Sequence, residues 1–180
     1  MLTRRHSLAA AASAALVFAA FLAGPAGAQE TPSGKLNVIA TFSILGDFVK
    51  NVGGDRVVVG TLVGPNGNAH VYSPSPGDAK KVADAKLVFV NGLGFEGWID
   101  RLVKASGTKA PVVVATKGIK SRQSAGDRDH GHDHGRADPH AWQSVANAKI
   151  YVANIRDALI KADPAGKDAY TANATAYLAK

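Results

Sequence analysis

The feature that most restricts the fold of this sequence is its alternation of strand-like and helix-like segments. Short runs rich in β-branched residues predict four strands: Leu36 to Thr41, Arg56 to Val63, Lys86 to Asn91 and Pro111 to Thr116. Apolar periodicity and end signals predict five helices: one that follows Ser43 and ends at Gly53-Gly54, one starting at Ser75-Pro76, Phe95 to Ser106, Val145 to Ala162, and one from near Lys167 to Lys180. This alternation favours an α/β fold in which helices flank a parallel sheet.

Local signals mark several helix ends. Ser43 can cap the first helix, and Ser75, Pro76 and Asp78 have the spacing of an N-cap, a first helical proline and a capping-box acid. Gly107 ends the third helix. The last predicted helix reaches Lys180 without a stop signal, so the chain is expected to be a fragment of a longer protein.

Residues 1–28 have the pattern of a cleaved export signal. Arg4 and Arg5 precede an apolar run, Leu8 to Gly24, and Ala26-Gly27-Ala28 is a small-residue cleavage site. The run is close to the shortest membrane-spanning helix, about 17 residues, but the cleavage site favours secretion, with a mature chain that begins at Gln29. The paired arginines are also compatible with a twin-arginine signal.

Composition narrows the classes of function. Without the signal, 152 of the 180 residues remain, a suitable size for one domain. Two of the 21 basic residues lie in the signal, so the mature chain has 19 basic and 14 acidic residues and a net charge of +5. Its basic residues are scattered rather than clustered. Nucleic-acid binding is therefore not expected. The sequence contains no cysteine, so disulfides, thiolate metal ligands and a lipidated cysteine are excluded, and a metal would need His, Asp or Glu.

Two histidines follow predicted strands. His70 lies in the loop from Gly64 to Pro76 after the second strand, and His140 lies in Asp138-Pro139-His140-Ala141-Trp142 after the fourth. Ligands of open parallel sheets bind at the carboxyl ends of the strands, and neutral imidazole is a good ligand for zinc and related metals. The alternatives are an exposed surface histidine at position 70 and a buried, hydrogen-bonded histidine beside Trp142.

A polar segment, Lys117 to Asp138, contains a histidine-rich tract from Asp127 to Gly135. His130, His132 and His134 alternate with other residues there, including Gly131, which suits a flexible auxiliary metal-binding loop. The alternative is a solvated loop without a role.

The segment Gly92 to Gly97 matches G-x-G-x-x-G, the dinucleotide-binding pattern. The acidic residue expected about 20 positions later is missing, because the following strand ends at Ala115-Thr116-Lys117. Export also argues against a nicotinamide cofactor. The glycines are therefore expected to allow a tight turn and close helix packing.

Four stretches together resemble one family, the metal-binding subunits of zinc and manganese ABC importers. They fall in the family's order over nearly the whole mature chain: Val38 to Ile44, His70 to Pro76, Asn91 to Trp98, and Asp138 to Trp142. The sequence departs from the family's usual Trp-Leu-Asp-Pro at Trp142-Gln143-Ser144-Val145.

The resemblance implies two α/β lobes joined by a long helix, with the metal between them. Residues 29–163 would form the N-terminal lobe, and residues 164–180 the start of the connecting helix, its apolar face partly exposed. His70 and His140 would be the metal ligands of this lobe. The second lobe would supply a His or Glu and an Asp, which have no counterpart in this sequence.

The implied function is a periplasmic solute-binding protein, a monomer without catalytic residues, that delivers a divalent metal to an inner-membrane ABC permease. The histidine-rich tract favours Zn²⁺ over Mn²⁺, because imidazole suits zinc whereas manganese prefers carboxylate oxygens. Alternatives are a manganese- or iron-type member of the same family, a metal buffer, and a secreted zinc hydrolase, although no H-E-x-x-H motif occurs.

Overall fold

Four parallel strands form one sheet in the computed structural model, which describes residues 34–120 and 137–180. The strands are β1 (Leu36–Phe42), β2 (Val57–Val63), β3 (Leu87–Val90) and β4 (Val112–Val114). Their order is β2-β1-β3-β4, with Val38 of β1 paired with Val59 of β2 and Leu87 of β3. The predicted α/β fold with a parallel sheet flanked by helices is confirmed.

Five helices accompany the sheet, and short 3-10 turns lie at Gly54–Arg56, Ala141–Gln143 and Pro164–Gly166. The helices are α1 (Ser43–Gly53), α2 (Pro76–Ala83), α3 (Ile99–Ser106), α4 (Val145–Ala162) and α5 (Lys167–Leu178). Helices α1, α4 and α5 pack together, and α2 packs against α3.

The centre of the sheet is covered on both faces. Every residue from Val38 to Phe42 is buried, although successive side chains of a strand point to opposite faces. The chain runs from β1 to its neighbour β2 and then returns to β3 on the other side of β1. The carboxyl ends of β1 and β3 therefore form a topological switch point, where such sheets bind ligands.

Local capping behaves differently in the first two helices. Ser75 accepts a hydrogen bond from the Asp78 backbone N–H, and Asp78 accepts from the Ser75 backbone, so the predicted capping box of α2 is confirmed. The prediction for α1 is wrong, because Ser43 is its first residue and Phe42 occupies the uncapped N-cap position. Strand β1 continues directly into the helix there, which leaves no separate residue for a polar cap.

The third helix starts later than predicted. It begins at Ile99 rather than Phe95, because Gly92, Leu93 and Gly94 all have positive φ and form a tight turn. The expected role of these glycines in a turn is thereby confirmed. Gly107 ends α3 in the left-handed conformation, as predicted.

The last helix is packed rather than exposed. Tyr170 and Ala174 of α5 are buried at 0% and 2% exposure, and the helix contacts α1 and α4. Of the apolar face that was expected to be partly exposed, Tyr170 and Ala174 are thus covered by α1 and α4, whereas Tyr177 is half-buried. Leu178, at the end of α5, is exposed.

Some predictions lie outside the described residues. These are the export signal at residues 1–28 and the tract that contains His130, His132 and His134. Among the described helices, none combines the length and the apolar character that crossing a membrane requires.

Candidate metal centre

The structure brings His70 and His140 together at the carboxyl edge of the sheet. His70 lies in the loop between β2 and α2, and His140 immediately precedes the 3-10 turn that leads to α4. Their Nε2 atoms are 3.0 Å apart, and their ring centroids are 5.1 Å apart. Two imidazoles separated by 70 positions in the chain thus present the same nitrogen to one point.

The spacing of these nitrogens is close to what a metal ion requires. Two zinc–nitrogen bonds of about 2.0–2.1 Å at a tetrahedral angle hold their nitrogens about 3.3 Å apart. The observed 3.0 Å differs from that by a few tenths of an ångström. At this distance one nitrogen can donate a hydrogen bond to the other, in a direction set by the tautomers, and a metal bound by both nitrogens would replace that proton.

Asp138 orients the imidazole of His140. Its Oδ1 accepts a hydrogen bond from the His140 backbone N–H at 3.0 Å and lies 2.9 Å from the ring Nδ1. A proton on Nδ1 donated to this carboxylate leaves the lone pair on Nε2, the atom that faces His70. A carboxylate behind the imidazole is a common way to fix the tautomer of a metal-binding histidine.

The loop of His70 is held by two contacts. The Asn68 side-chain oxygen accepts from the His70 backbone N–H at 3.0 Å, which closes a local turn. The indole N–H of Trp98 donates to the carbonyl of Ala69, the residue before His70, at 2.7 Å. Both polar groups of the Ala69–His70 peptide, which precedes the imidazole-bearing Cα, are thereby fixed.

Aromatic rings surround the imidazole pair on one side. The ring centroid of Phe95 lies 4.5 Å from that of His70 and 5.9 Å from that of His140, and the Trp142 ring lies 5.4 Å from His140. Phe42 completes the group, 4.9 Å from both Phe95 and Trp142. This apolar wall excludes water from one flank of the pair, which strengthens electrostatic attraction for a cation.

A cavity of about 380 Å³ opens beside the pair. Besides the two histidines and three aromatic rings, its lining residues include Ser43, Asn66, Gly67 and Asn68. Within residues 34–120 and 137–180, no group of three or more His, Cys, Asp and Glu side chains is placed to hold one metal ion. Tetrahedral zinc takes four ligands, or three and water, so two imidazoles alone could form only part of a coordination shell.

Behind the pair lies a buried carboxylate whose role the sequence interpretation missed. Glu96, 5% exposed, accepts hydrogen bonds from the Thr41 hydroxyl and from the backbone N–H groups of Asn91 and Gly92. It therefore joins the carboxyl ends of β1 and β3 at the switch point. Burial raises the pKa of Glu96 above its usual range, and these hydrogen bonds offset only part of that increase.

Asn91 continues this network toward His140. Its side-chain NH₂ donates to the carbonyl of Pro139 at 2.9 Å, and its side-chain oxygen accepts from the Tyr151 hydroxyl on α4. An Asn at the end of an apolar strand, with a Glu five residues later, is the signal that could have indicated such a network. A simple tight turn would also explain an Asn and a Glu at these positions, so the sequence did not distinguish a turn from a hydrogen-bond network.

The fold is thus a parallel α/β sheet with an imidazole pair at its switch point. Residues 38–180 match the family model described as zinc-uptake complex component A, periplasmic. The chain belongs to this family of metal-binding subunits of ABC importers.

Individual relatives are named for different metals. The chain is 37% identical over 175 residues to the iron-binding protein YfeA of Yersinia pestis, covering 96% of this chain and 55% of that protein. It is 34% identical over 172 residues to the manganese ABC transporter substrate-binding lipoprotein PsaA of Streptococcus pneumoniae, covering 92% of this chain and 54% of that one.

A solved structure shares the fold. The Mn-bound periplasmic metal-binding protein from Candidatus Liberibacter asiaticus superposes with a TM-score of 0.72 at 34% identity, covering 80% of this chain and 52% of that one. The chain thus spans about half the length of the relatives that it matches.

Proposed function

We propose that this protein captures a divalent transition metal outside the cytoplasm and delivers it to an ABC permease of the inner membrane, without catalysing a reaction. The observation that carries the proposal is the 3.0 Å approach of His70 Nε2 and His140 Nε2. Membership in a family of importer subunits supports the same direction. We assign His70 and His140 as ligands, and the rest of the shell to water or to a second lobe like that of the longer relatives.

We further propose Zn²⁺ as the ion. Neutral imidazoles suit zinc, and the tract with His130, His132 and His134 adds three more of them as auxiliary ligands. The relatives named for iron and manganese make those ions the direct alternatives. Comparison of Zn²⁺, Mn²⁺ and Fe²⁺ binding to the same preparation decides between them.

The pattern of the first 28 residues supports the proposed location. Removal of an export signal at Ala28 would release a periplasmic monomer that begins at Gln29. Mass spectrometry of the exported protein tests this, since a retained residue 1–28 segment in the soluble periplasmic fraction would contradict it.

Calorimetric zinc titration of the full-length protein, with its second lobe, tests the ligand assignment. The 180 residues alone should bind zinc poorly, because two imidazoles do not complete a coordination shell. We expect His70→Ala and His140→Ala each to lose most of the tight binding, and the double variant to be little worse than either, because ligands of one ion act together. Binding should also weaken between about pH 7.5 and about pH 5.5, since protons compete for imidazole nitrogens. Near-wild-type binding by either single variant would remove that histidine from the site.

A matched deletion separates the pair from the tract. Removal of Asp127 to Gly135 should leave the tightest site in place and eliminate only weaker additional zinc equivalents. Loss of the tight site in this variant would make the tract primary and the assignment of the pair wrong. Chelator-sensitive hydrolysis by the wild-type chain would instead favour the secreted hydrolase.

A further inference from the structure

We propose that Asn91 and Trp98 are positioning residues that hold His140 and His70 at metal-binding distance from a single segment. We call this segment, Asn91–Trp98, the mount. The inference rests on the proposed function, and it adds to that function the part of the chain that sets the spacing of the two ligands.

The Asn91 side chain fixes the His140 loop. Asn91 is fully buried, and its NH₂ group donates to the carbonyl of Pro139, the residue before His140, at 2.9 Å. The other side-chain atom is held as well, since its oxygen accepts from the Tyr151 hydroxyl. These two bonds fix the orientation of the amide, with its NH₂ group toward the histidine loop. In the reversed orientation the amide oxygen would face the Pro139 carbonyl, and two acceptors cannot form a hydrogen bond.

The backbone N–H and carbonyl of Asn91 are hydrogen-bonded as well. Its N–H donates to Glu96 at 2.7 Å, and its carbonyl accepts from the Thr116 hydroxyl at 2.6 Å. Four different parts of the fold thus meet at one residue: the mount itself, the end of β4, helix α4 and the His140 loop. Buried networks in which every member is satisfied are rigid.

Trp98 fixes the His70 loop from the other end of the mount. The residue is 3% exposed, and its indole N–H donates to the Ala69 carbonyl at 2.7 Å. The indole also packs against Tyr72, with ring centroids 5.1 Å apart, on the far side of His70 in sequence. One side chain of the mount therefore contacts the residues on both sides of the histidine.

The mount between these ends is stiff. Glu96 binds two of its backbone N–H groups, and positive φ angles at Gly92 and Gly94 fix a tight turn that other residues adopt rarely. Phe95 projects from the same turn and contacts both imidazoles, with ring centroids 4.5 Å and 5.9 Å away. Both ligands are thus supported from one rigid piece of backbone.

This arrangement has a consequence for affinity. The two histidines lie on separate loops, so an unsupported pair would have to be ordered by the metal itself, and that ordering would weaken binding. Groups that orient metal ligands without touching the metal typically change affinity by about 10–100-fold when they are removed.

Two conservative substitutions in the full chain test the mount. Asn91→Asp keeps the shape but replaces the donor to Pro139 with an acceptor, and Trp98→Phe keeps a ring but removes the donor to Ala69. We expect each to weaken zinc binding by about tenfold. Tyr170→Phe is the matched control, because it also deletes one buried donor, the hydroxyl bound to Asp163, but on α5. Its zinc affinity should equal that of the wild type.

Imidazole ¹⁵N spectra of the metal-free chain supply a readout that lost stability alone would not move. Asn91→Asp should shift or broaden the His140 signals and Trp98→Phe those of His70, with assignments made from the histidine-to-alanine variants. If Asn91→Asp does not fold, Tyr151→Phe releases the same amide by removing its second anchor. The expected direction is the same, with a smaller loss.

The outcomes are distinguishable from those of the proposed function. Absence of zinc binding by the unsubstituted full-length protein, with its second lobe, would contradict the function itself. Tight wild-type binding with unchanged affinity and unchanged imidazole spectra in the mount variants would overturn the positioning role and leave the function intact. Equal losses in Tyr170→Phe and in the mount variants would likewise overturn it, because the effect would then be one of stability.

Discussion

Two polar clusters join distant parts of this chain, one at each edge of the sheet. At the carboxyl edge, Glu96 and Asn91 connect β1, β3 and the His140 loop. At the opposite edge Arg56, just before β2, donates to Asp163 from Nε at 2.9 Å, and Tyr170 donates to the same carboxylate at 2.7 Å. Both clusters hold a carboxylate by several donors, but only the first one leads to the candidate ligands.

The two carboxylates are held by different kinds of partner. Asp163 has a cationic partner, and the hydrogen bonds from Tyr170 and Arg56 outweigh the opposing effect of burial, so its pKa is lowered. Glu96 has only neutral donors in a more buried position, and its pKa is raised. The carboxylate at the edge without candidate ligands is therefore stabilised by an ion pair. The carboxylate at the edge that bears the histidines is instead held by buried, uncharged donors.

The largest expected effect tests how tightly the carboxyl edge is packed. In Gly92→Ala the new Cβ would lie 2.6 Å from a Val114 methyl and 3.0 Å from the Thr116 hydroxyl, at φ +85°. Gly94 has a similar φ of +75°, but nothing lies within 4 Å of its Cβ position. We expect a loss of about 3 kcal/mol in the free energy of unfolding for Gly92→Ala and about 1 kcal/mol for Gly94→Ala. Equal losses in urea titrations would mean that conformational strain, not packing, limits this turn.

The next effect separates the two edges directly. Asp163→Asn and Glu96→Gln each weaken a set of hydrogen bonds to a carboxylate and should each cost about 2 kcal/mol of unfolding free energy. Only Glu96→Gln should also weaken zinc binding, because Glu96 supports the mount. The measurements are urea unfolding and zinc calorimetry on both variants. A similar loss of zinc affinity in Asp163→Asn would show that the edges are not independent.

The pH dependence of these two variants should have opposite signs. The folded-state pKa of Asp163 lies below the ordinary 3.8, so its contribution is present above that value and is lost as the pH falls through the folded-state pKa. The folded-state pKa of Glu96 lies above the ordinary 4.5, so the native state binds this proton more tightly and gains stability as the pH falls toward that value.

Urea unfolding from about pH 7 to about pH 3 measures this contrast. The destabilisation caused by Asp163→Asn should shrink toward the acid end, because the wild-type protein loses the same contribution there. The destabilisation caused by Glu96→Gln should grow as the pH falls, because only the wild-type protein gains from protonation. Parallel curves for the two variants would contradict the assigned directions.

The smallest effect compares two hydroxyls on α5. Tyr170 is fully buried with its hydroxyl on Asp163, whereas the Tyr177 hydroxyl donates to Asp47 at 3.0 Å near the surface. We expect Tyr170→Phe to cost about 1.5 kcal/mol and Tyr177→Phe about 0.5 kcal/mol, because water can replace the exposed partner. Thermal unfolding of both variants checks the ranking, and a larger loss for Tyr177→Phe would reverse it.

The sequence predicted the parallel α/β fold because short-range rules govern its elements. Apolar runs and periodicity located the four strands and most of the five helices of the described residues, and the Ser75 and Asp78 spacing identified a capping box that involves only four consecutive residues. The histidines at strand ends followed from the same reasoning, since strand order and direction place carboxyl ends at one edge. Their role as ligands remains a prediction.

The start of α3 and the spacing of the two imidazoles could not be predicted from the sequence, because they depend on contacts between residues that are distant in the chain. Helix α3 starts at Ile99 because the residues from Gly92 to Gly94 form a turn, and Glu96 connects the start of this turn to Thr41, 55 positions away in sequence. The spacing of the imidazoles depends on Asn91 reaching Pro139, 48 positions away. Periodicity and capping act within a few residues, so they determine which helices and strands form. The distance between the two Nε2 atoms depends instead on the tertiary contacts at the switch point.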